Sequence, residues 1–200
     1  MTDSIFKDFG DDPVELFRKW FDEAKASEPN DPNAMALATV DSDGRPAVRI
    51  VLLKDLKPEG FVFHTNYESA KGRALLAHPQ TELNFYWKSL GKQIRIAGSA
   101  VQITAAESDA YFASRPRESQ LGAWASAQSR PMDTYETFES NLNTMRDQFA
   151  NQPIPRPPHW GGFCVRPESI EFWIAHPYRL HTRFVYKRLN NGWDAHWLYP

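Results

Sequence analysis

Segments of strand character fall into two groups with a helical stretch between them, and this order limits the fold more than any single motif. Met35 to Val40 and Pro46 to Lys54 are joined by the hairpin dipeptide Asp43-Gly44, and Phe61 to Asn66, Thr81 to Trp87 and Gln93 to Ile103 follow. The second group is Gly162 to Arg166, Ser169 to Ile174, Thr182 to Lys187 and Trp193 to Leu198, with Asn191-Gly192 as a tight turn. Strands joined by short turns pair antiparallel, whereas parallel neighbours need a long crossover between them. The glycine signature of a dinucleotide-binding fold is also absent. The pattern therefore predicts a mainly β chain with α (α+β): a closed or split barrel with helices packed outside.

The helices announce themselves by their caps. Asp12 and Pro13 form an N-cap and first-turn pair, and Leu16, Phe17, Trp20, Phe21 and Ala24 then place one apolar face on a helix running to about Lys25. Ser69 caps a shorter helix to about His78. Thr104 with Glu107 matches a capping box, and Asp133 with Glu136 matches one with Asp as the cap. Between these two starts, Ser114 to Arg130 is a polar stretch rich in Arg, Ser and Gln. Four prolines between Pro153 and Pro158 predict an extended connector, since proline donates no hydrogen bond and blocks helix.

At 200 residues, 42% hydrophobic and 24% charged, the chain is expected to form one domain over 1–200 with a full core, its polar first twelve residues a mobile segment. A net charge of -2 gives no general attraction to nucleic acid or an anionic membrane, so any anion site must be local. No apolar stretch approaches the ~20 residues of a membrane span, and the start lacks the basic and apolar regions of a signal peptide. The cytoplasm is the expected location. Cys164 is the single cysteine, which rules out an intrachain disulfide. His176 and His181 lack a nearby third ligand, so no metal site is expected. Hydrolase and kinase motifs are missing as well.

Four clusters carry possible chemistry. Arg49 and Lys54 bracket the apolar run Ile50, Val51, Leu52 and Leu53, and strict alternation puts the two cations on opposite faces unless one end twists. His64 and Thr65 end a strand just before Ser69, Lys71 and Arg73, where cations in a first helical turn suggest a bound anion. Tyr111 and Arg115, four apart on a predicted helix, stand near Arg117 and Ser119, and Gln128-Ser129 extends that stretch. Arginine forks and hydroxyls are the usual partners of a phosphate dianion. Arg179, His181 and Arg183 share one face if a strand runs through them, near Trp173. Each cluster taken singly also fits a solvated strand or helix end.

In order and spacing, Arg49 to Lys54, His64-Thr65, Ser69 and Lys71, Gln93, Tyr111, Arg115 and Ser119, Gln128-Ser129, Trp173 and Arg179-Leu180-His181 with Arg183 resemble the pyridoxine/pyridoxamine 5'-phosphate oxidase family. The resemblance runs from about Pro13 to Pro200. It implies an FMN-binding split β-barrel with peripheral helices, acting as a homodimer with FMN at the interface. The implied reaction oxidises phosphorylated B6 vitamers to pyridoxal 5'-phosphate, with hydride transfer to the flavin and oxygen reduced to hydrogen peroxide. By the same resemblance, FMN contacts fall on Arg49, Ile50, Val51, Leu52, Leu53, Lys54, His64, Thr65, Lys71, Gln93, Gln128, Ser129, Trp173 and Arg183. Substrate contacts fall on Lys54, Tyr111, Arg115, Ser119, Arg179, Leu180 and His181, with Arg179 and His181 nearest the chemistry. Four positions depart from the family's usual residues: His64 stands for Tyr or Phe, Ala70 for Arg, Thr182 for Asp and Trp197 for Arg. A noncatalytic flavin or pyridoxal-phosphate carrier, or a split-barrel flavoprotein with another substrate, is the alternative.

Overall fold

The structure, a computed structural model, describes residues 9–200. The mobile segment expected at the N-terminus lies outside the described residues over positions 1–8. Phe9, in contrast, is buried and packs on Trp20, Phe184 and Trp197, while the Tyr186 hydroxyl donates to the carbonyls of Phe9 and Gly10. Helix α1 (Pro13–Ser27) starts where expected: the Asp12 carboxylate accepts from the Val14 amide at 2.8 Å. Its inward face of Leu16, Phe17, Trp20 and Ala24 is buried.

Strands β1 (Ala34–Val40), β2 (Pro46–Leu52), β3 (Asp55–Lys57) and β4 (Gly60–Asn66) precede helix α2 (Ala70–Ala77). Strands β5 (Gln80–Trp87) and β6 (Lys92–Gln102) come next, then helices α3 (Ala105–Ala113), α4 (Arg117–Ala125) and α5 (Tyr135–Gln148). The chain returns to the sheet as β7 (Trp160–Ile174), makes a 3-10 turn at Pro177–Arg179, and ends in β8 (Thr182–Leu189) and β9 (Gly192–Leu198). Strand order is β2-β1-β5-β6-β7-β4-β3, with β8 and β9 branching from β7, and each recorded pairing is antiparallel. The branch is the key to the curl. The first half of β7 pairs with β4 and its second half with β8, while β6 runs along both. One sheet is thereby bent into a half-barrel, as the strand grouping predicts, with α1 against its core.

Two expected segments, Gly162 to Arg166 and Ser169 to Ile174, are one strand interrupted by a bulge. The register against β6 shifts between Ala97 and Gly98, opposite Pro167 and Ser169. A bulge accommodates Pro167, which has no amide to give the ladder. Gly98 is required there, because a Cβ would sit 2.0 Å from the Arg166 carbonyl oxygen.

The main core is aromatic: Phe17 meets Phe61 and Phe85 edge-on at 4.9 and 5.2 Å between ring centres. A second cluster of Phe112, Leu121, Phe149, Ile154 and Trp160 joins the helices to the proline connector. Helix α4 answers to no expected element, since it lies inside the polar stretch and buries only Leu121 and Ala125. The expected Asp133 cap is corrected to Thr134, whose side chain makes no capping bond. Among the described residues no helix is long and apolar enough to cross a membrane.

Candidate functional site

A cavity of about 530 Å³ opens between the end of β2, the end of β4, α2 and the α3–α4 corner. Its position follows from local chain behaviour. Strand β2 stops at Leu52, Leu53 turns into the core, and Lys54, whose amide donates to the Val62 carbonyl, is carried to the cavity wall. The turn resolves the alternation problem for Lys54. Arg49 is different: it does not line the cavity but donates to the Leu37 carbonyl and the Thr39 hydroxyl at 2.9 and 2.8 Å.

Ser69 caps α2 by accepting from the Gly72 amide, which points Lys71 inward. The Lys71 ammonium donates to the Thr65 hydroxyl at 3.2 Å and the Gln128 carboxamide oxygen at 3.1 Å. Burial, and then the charge of Arg49, lower its pKa. Two cations held this close favour an anion between or beside them. Ala70 is exposed and adds nothing to this group.

Across the cavity stand Tyr111, Arg115 and Ser119. The expectation that Tyr111 and Arg115 share a helix is corrected: α3 ends at Ala113, Arg115 lies in the turn after it, and Ser119 is in the first turn of α4. A helix-turn-helix corner brings the three side chains to one wall. The Arg115 guanidinium lies 4.6 Å above the Trp160 ring, and its buried Nη1 has no hydrogen-bond partner. Desolvation lowers its pKa. Arg117 points elsewhere, donating to the carbonyls of Phe149 and Gln152.

His64 forms the back of this wall. Its ring stacks on Tyr111 at 3.9 Å and on Trp160 at 5.3 Å, and both ring nitrogens are buried without partners. Burial, helped by Arg115, Lys54 and Lys57, pushes its pKa down from 6.5 to about 4. Between those values the unfolded chain binds a proton that the folded one refuses. Stability is therefore lost as pH falls through the window, by about 2 kcal/mol from pH 6.5 to pH 5. In His64→Phe, which keeps the stack, urea unfolding is expected to lose this acid-side slope; an unchanged slope would place the titrating group elsewhere.

The remaining expected residues form a second, separate group on the sheet. Gln93, Trp173 and Arg183 are direct cross-strand neighbours on β6, β7 and β8. The His181 ring lies 4.5 Å from that of Trp173. Arg183 donates through Nε to Glu171 at 2.7 Å and through Nη1 to the Tyr199 carbonyl at 3.2 Å. The expectation that 179, 181 and 183 share a strand face fails for Arg179. It sits in the 3-10 turn with φ 64° beside Tyr178 at φ 58°, and β8 begins only at Thr182. None of Gln93, Trp173, Arg179, Leu180, His181 and Arg183 lines the cavity, nor does Leu53 or Ser129.

Sequence reasoning missed Trp160, which supports Arg115, and Glu171, which holds Arg183. Glu171 was discoverable. It stands two residues before Trp173, hence on the same strand face, and faces Arg95 across the ladder.

Residues 21–149 match the pyridoxamine 5'-phosphate oxidase family, and residues 160–200 match its C-terminal dimerisation region. The pyridoxine/pyridoxamine 5'-phosphate oxidase of Gluconobacter oxydans is 56% identical over 200 residues, covering 100% of both chains. That of Sphingopyxis alaskensis is 56% identical, covering 95% of this chain and 88% of its own. Among solved structures, PhzG from Burkholderia lata 383, in complex with tetrahydrophenazine-1-carboxylic acid, superposes with a TM-score of 0.90 at 31% identity, covering 96% of this chain and 94% of its own. A pyridoxamine 5'-phosphate oxidase-related, FMN-binding protein from Nostoc punctiforme shares the fold at TM-score 0.75 and 19% identity, covering 94% of this chain and 98% of its own. This chain belongs to the pyridoxamine 5'-phosphate oxidase family.

Proposed function

We propose that this chain is an FMN-dependent pyridoxine/pyridoxamine 5'-phosphate oxidase, which converts both phosphorylated vitamers to pyridoxal 5'-phosphate while oxygen is reduced to hydrogen peroxide. The observation that carries the reading is a pair of distinct cation groups at one cavity, the second holding a buried guanidinium nitrogen without a partner. Two phosphates need two such groups. Lys71, with Arg49 behind it and Thr65 and Gln128 beside it, suits the FMN phosphate. Lys54, Tyr111, Arg115 and Ser119 suit the substrate phosphate, where the Arg115 fork meets phosphate oxygens in place of water.

FMN held there would supply the two-electron acceptor, with oxygen as the final oxidant. The residues of this chain bind and orient. Ile50, Val51 and Leu52 give the cavity an apolar wall. Gln93, Trp173, Ser129 and Arg183 are further FMN contacts in this reading, with Arg179, Leu180 and His181 toward the substrate. Because the sheet group of Gln93, Trp173, His181 and Arg183 does not line the cavity within one chain, a second copy is needed to bring the two together, with FMN between copies. Support comes from the dimerisation region at 160–200 and from Val48 and Ile50, which are 67% and 65% exposed on the edge strand β2.

The test is direct. The purified protein should show bound flavin in its visible spectrum and form pyridoxal 5'-phosphate from both substrates only with oxygen. A yellow protein without turnover would favour a carrier, and one that rejects FMN would defeat the reading.

A further inference from the structure

The turn that carries Arg179 is strained and has a clasp. Tyr178 and Arg179 are consecutive non-glycine residues with φ of 58° and 64°, a conformation L side chains rarely adopt. Such a turn persists only where its ends are held. Here both ends meet at His176. Its backbone amide donates to Nδ1 of His181 at 3.2 Å, and its ring Nε2 lies 2.9 Å from the Thr182 hydroxyl. A third bond, from the Leu180 amide to the Pro177 carbonyl at 3.3 Å, closes the interior of the loop.

The amide contact decides the state of His181. A backbone N–H can only donate, so Nδ1 must carry a lone pair, and the ring proton of neutral His181 resides on Nε2. The Trp173 ring at 4.5 Å fixes the plane of the imidazole. His181 therefore presents a donor, not a base, from its free nitrogen. We propose that His176 is a positioning residue: its ring clasps the Pro177–Arg179 turn through Thr182, and the clasped turn keeps the His176 backbone amide on Nδ1 of His181, which holds that ring in the Nε2–H form. The inference rests on the reading of Arg179 and His181 as substrate residues. It adds a residue and a protonation form which that reading does not contain.

The experiment uses FMN-loaded protein and pyridoxamine 5'-phosphate. In His176→Ala, kcat/KM is expected to fall about tenfold, through loss of a pre-set geometry, with flavin content and thermal midpoint unchanged. His176→Gln, whose carboxamide can still meet the Thr182 hydroxyl, should recover most of the rate. Long-range proton-nitrogen spectra should show a bare Nδ1 and protonated Nε2 for His181 in the parent protein, and mixed tautomers in His176→Ala, which keeps the backbone amide but lets the unclasped turn carry it off Nδ1. An unchanged His181 spectrum in His176→Ala overturns the clasp, as does a rate loss matched by equal losses of flavin and thermal stability. His181→Ala separates the two readings: full turnover there defeats the substrate role of His181, while the tautomer spectrum still judges the clasp.

Discussion

Replacing Arg115 with alanine is expected to lower kcat/KM for pyridoxamine 5'-phosphate by about a hundredfold or more while FMN content stays near that of the parent protein. A hydrogen bond to a charged group is worth about 1.5–3 kcal/mol, and a guanidinium fork can supply two to one phosphate. The geometry favours the upper part of that range. Arg115 is held over Trp160 at 4.6 Å and Phe112 at 5.6 Å, so its side chain is ordered before the ligand arrives. Its Nη1 has already lost water without gaining a partner. That unmet bond has an opposite consequence for the protein without substrate: Arg115→Ala should be as stable as the parent, or more so by about 1 kcal/mol, because an unpaired buried donor is removed. Steady-state kinetics, flavin absorbance and a thermal melt read the three effects separately. Equal loss of flavin and substrate affinity would move Arg115 into the cofactor phosphate group.

The sheet was readable because its periodicity is strong and its turns are chemically marked. Asp43-Gly44 and Asn191-Gly192 sit at the β1–β2 and β8–β9 hairpins, with Gly44 and Gly192 at φ 80° and 115°. What escaped was whatever depends on partners distant in sequence. Helix α4 opens on Arg117, Glu118, Ser119 and Gln120, and it is held by Leu121 packing in a cluster with Phe112, Phe149 and Trp160 rather than by a pattern of its own. β3 is three residues long and exists only because β4 pairs with it. At the site, alternation put Arg49 and Lys54 on opposite faces, but it does not extend past a strand end. The two cations accordingly do different jobs: Lys54 lines the cavity and Arg49 braces the strand behind Lys71. Arg179 was misplaced for a similar reason. Pro177 and the left-handed pair after it end the extended chain, so His181 and Arg183 are set by β8 and Trp173 while Arg179 is set by the turn.

Glu171→Ala should cost about 2–3 kcal/mol in urea unfolding and weaken FMN retention, although no site residue is altered. Glu171 is buried, with its side chain 10% exposed, and its carboxylate joins two arginines, Arg183 at 2.7 Å and Arg95 at 3.2 Å. Its hydrogen bond raises the pKa of Arg183, while that of Arg95 is raised first by Glu82 and only then by the charge of Glu171. Removing one member of a buried pair typically costs about 3–5 kcal/mol, because a charge is left without its counterion. The arginines here are only partly buried, with side chains 29% and 44% exposed, so water recovers some of that loss. Arg95 loses least, since Glu82 binds it at 2.5 Å. Among the described residues Arg183 keeps the Tyr199 carbonyl, which holds one nitrogen but does not fix the plane of the fork. If Arg183 reaches FMN across the interface between copies, its loss of aim should raise the FMN dissociation constant about tenfold, the equivalent of one charged hydrogen bond. Glu171→Gln, which keeps the shape and one acceptor, should retain most of the stability and less of the affinity. FMN affinity unchanged in both variants would remove Arg183 from the cofactor contacts and leave Glu171 a purely structural pair.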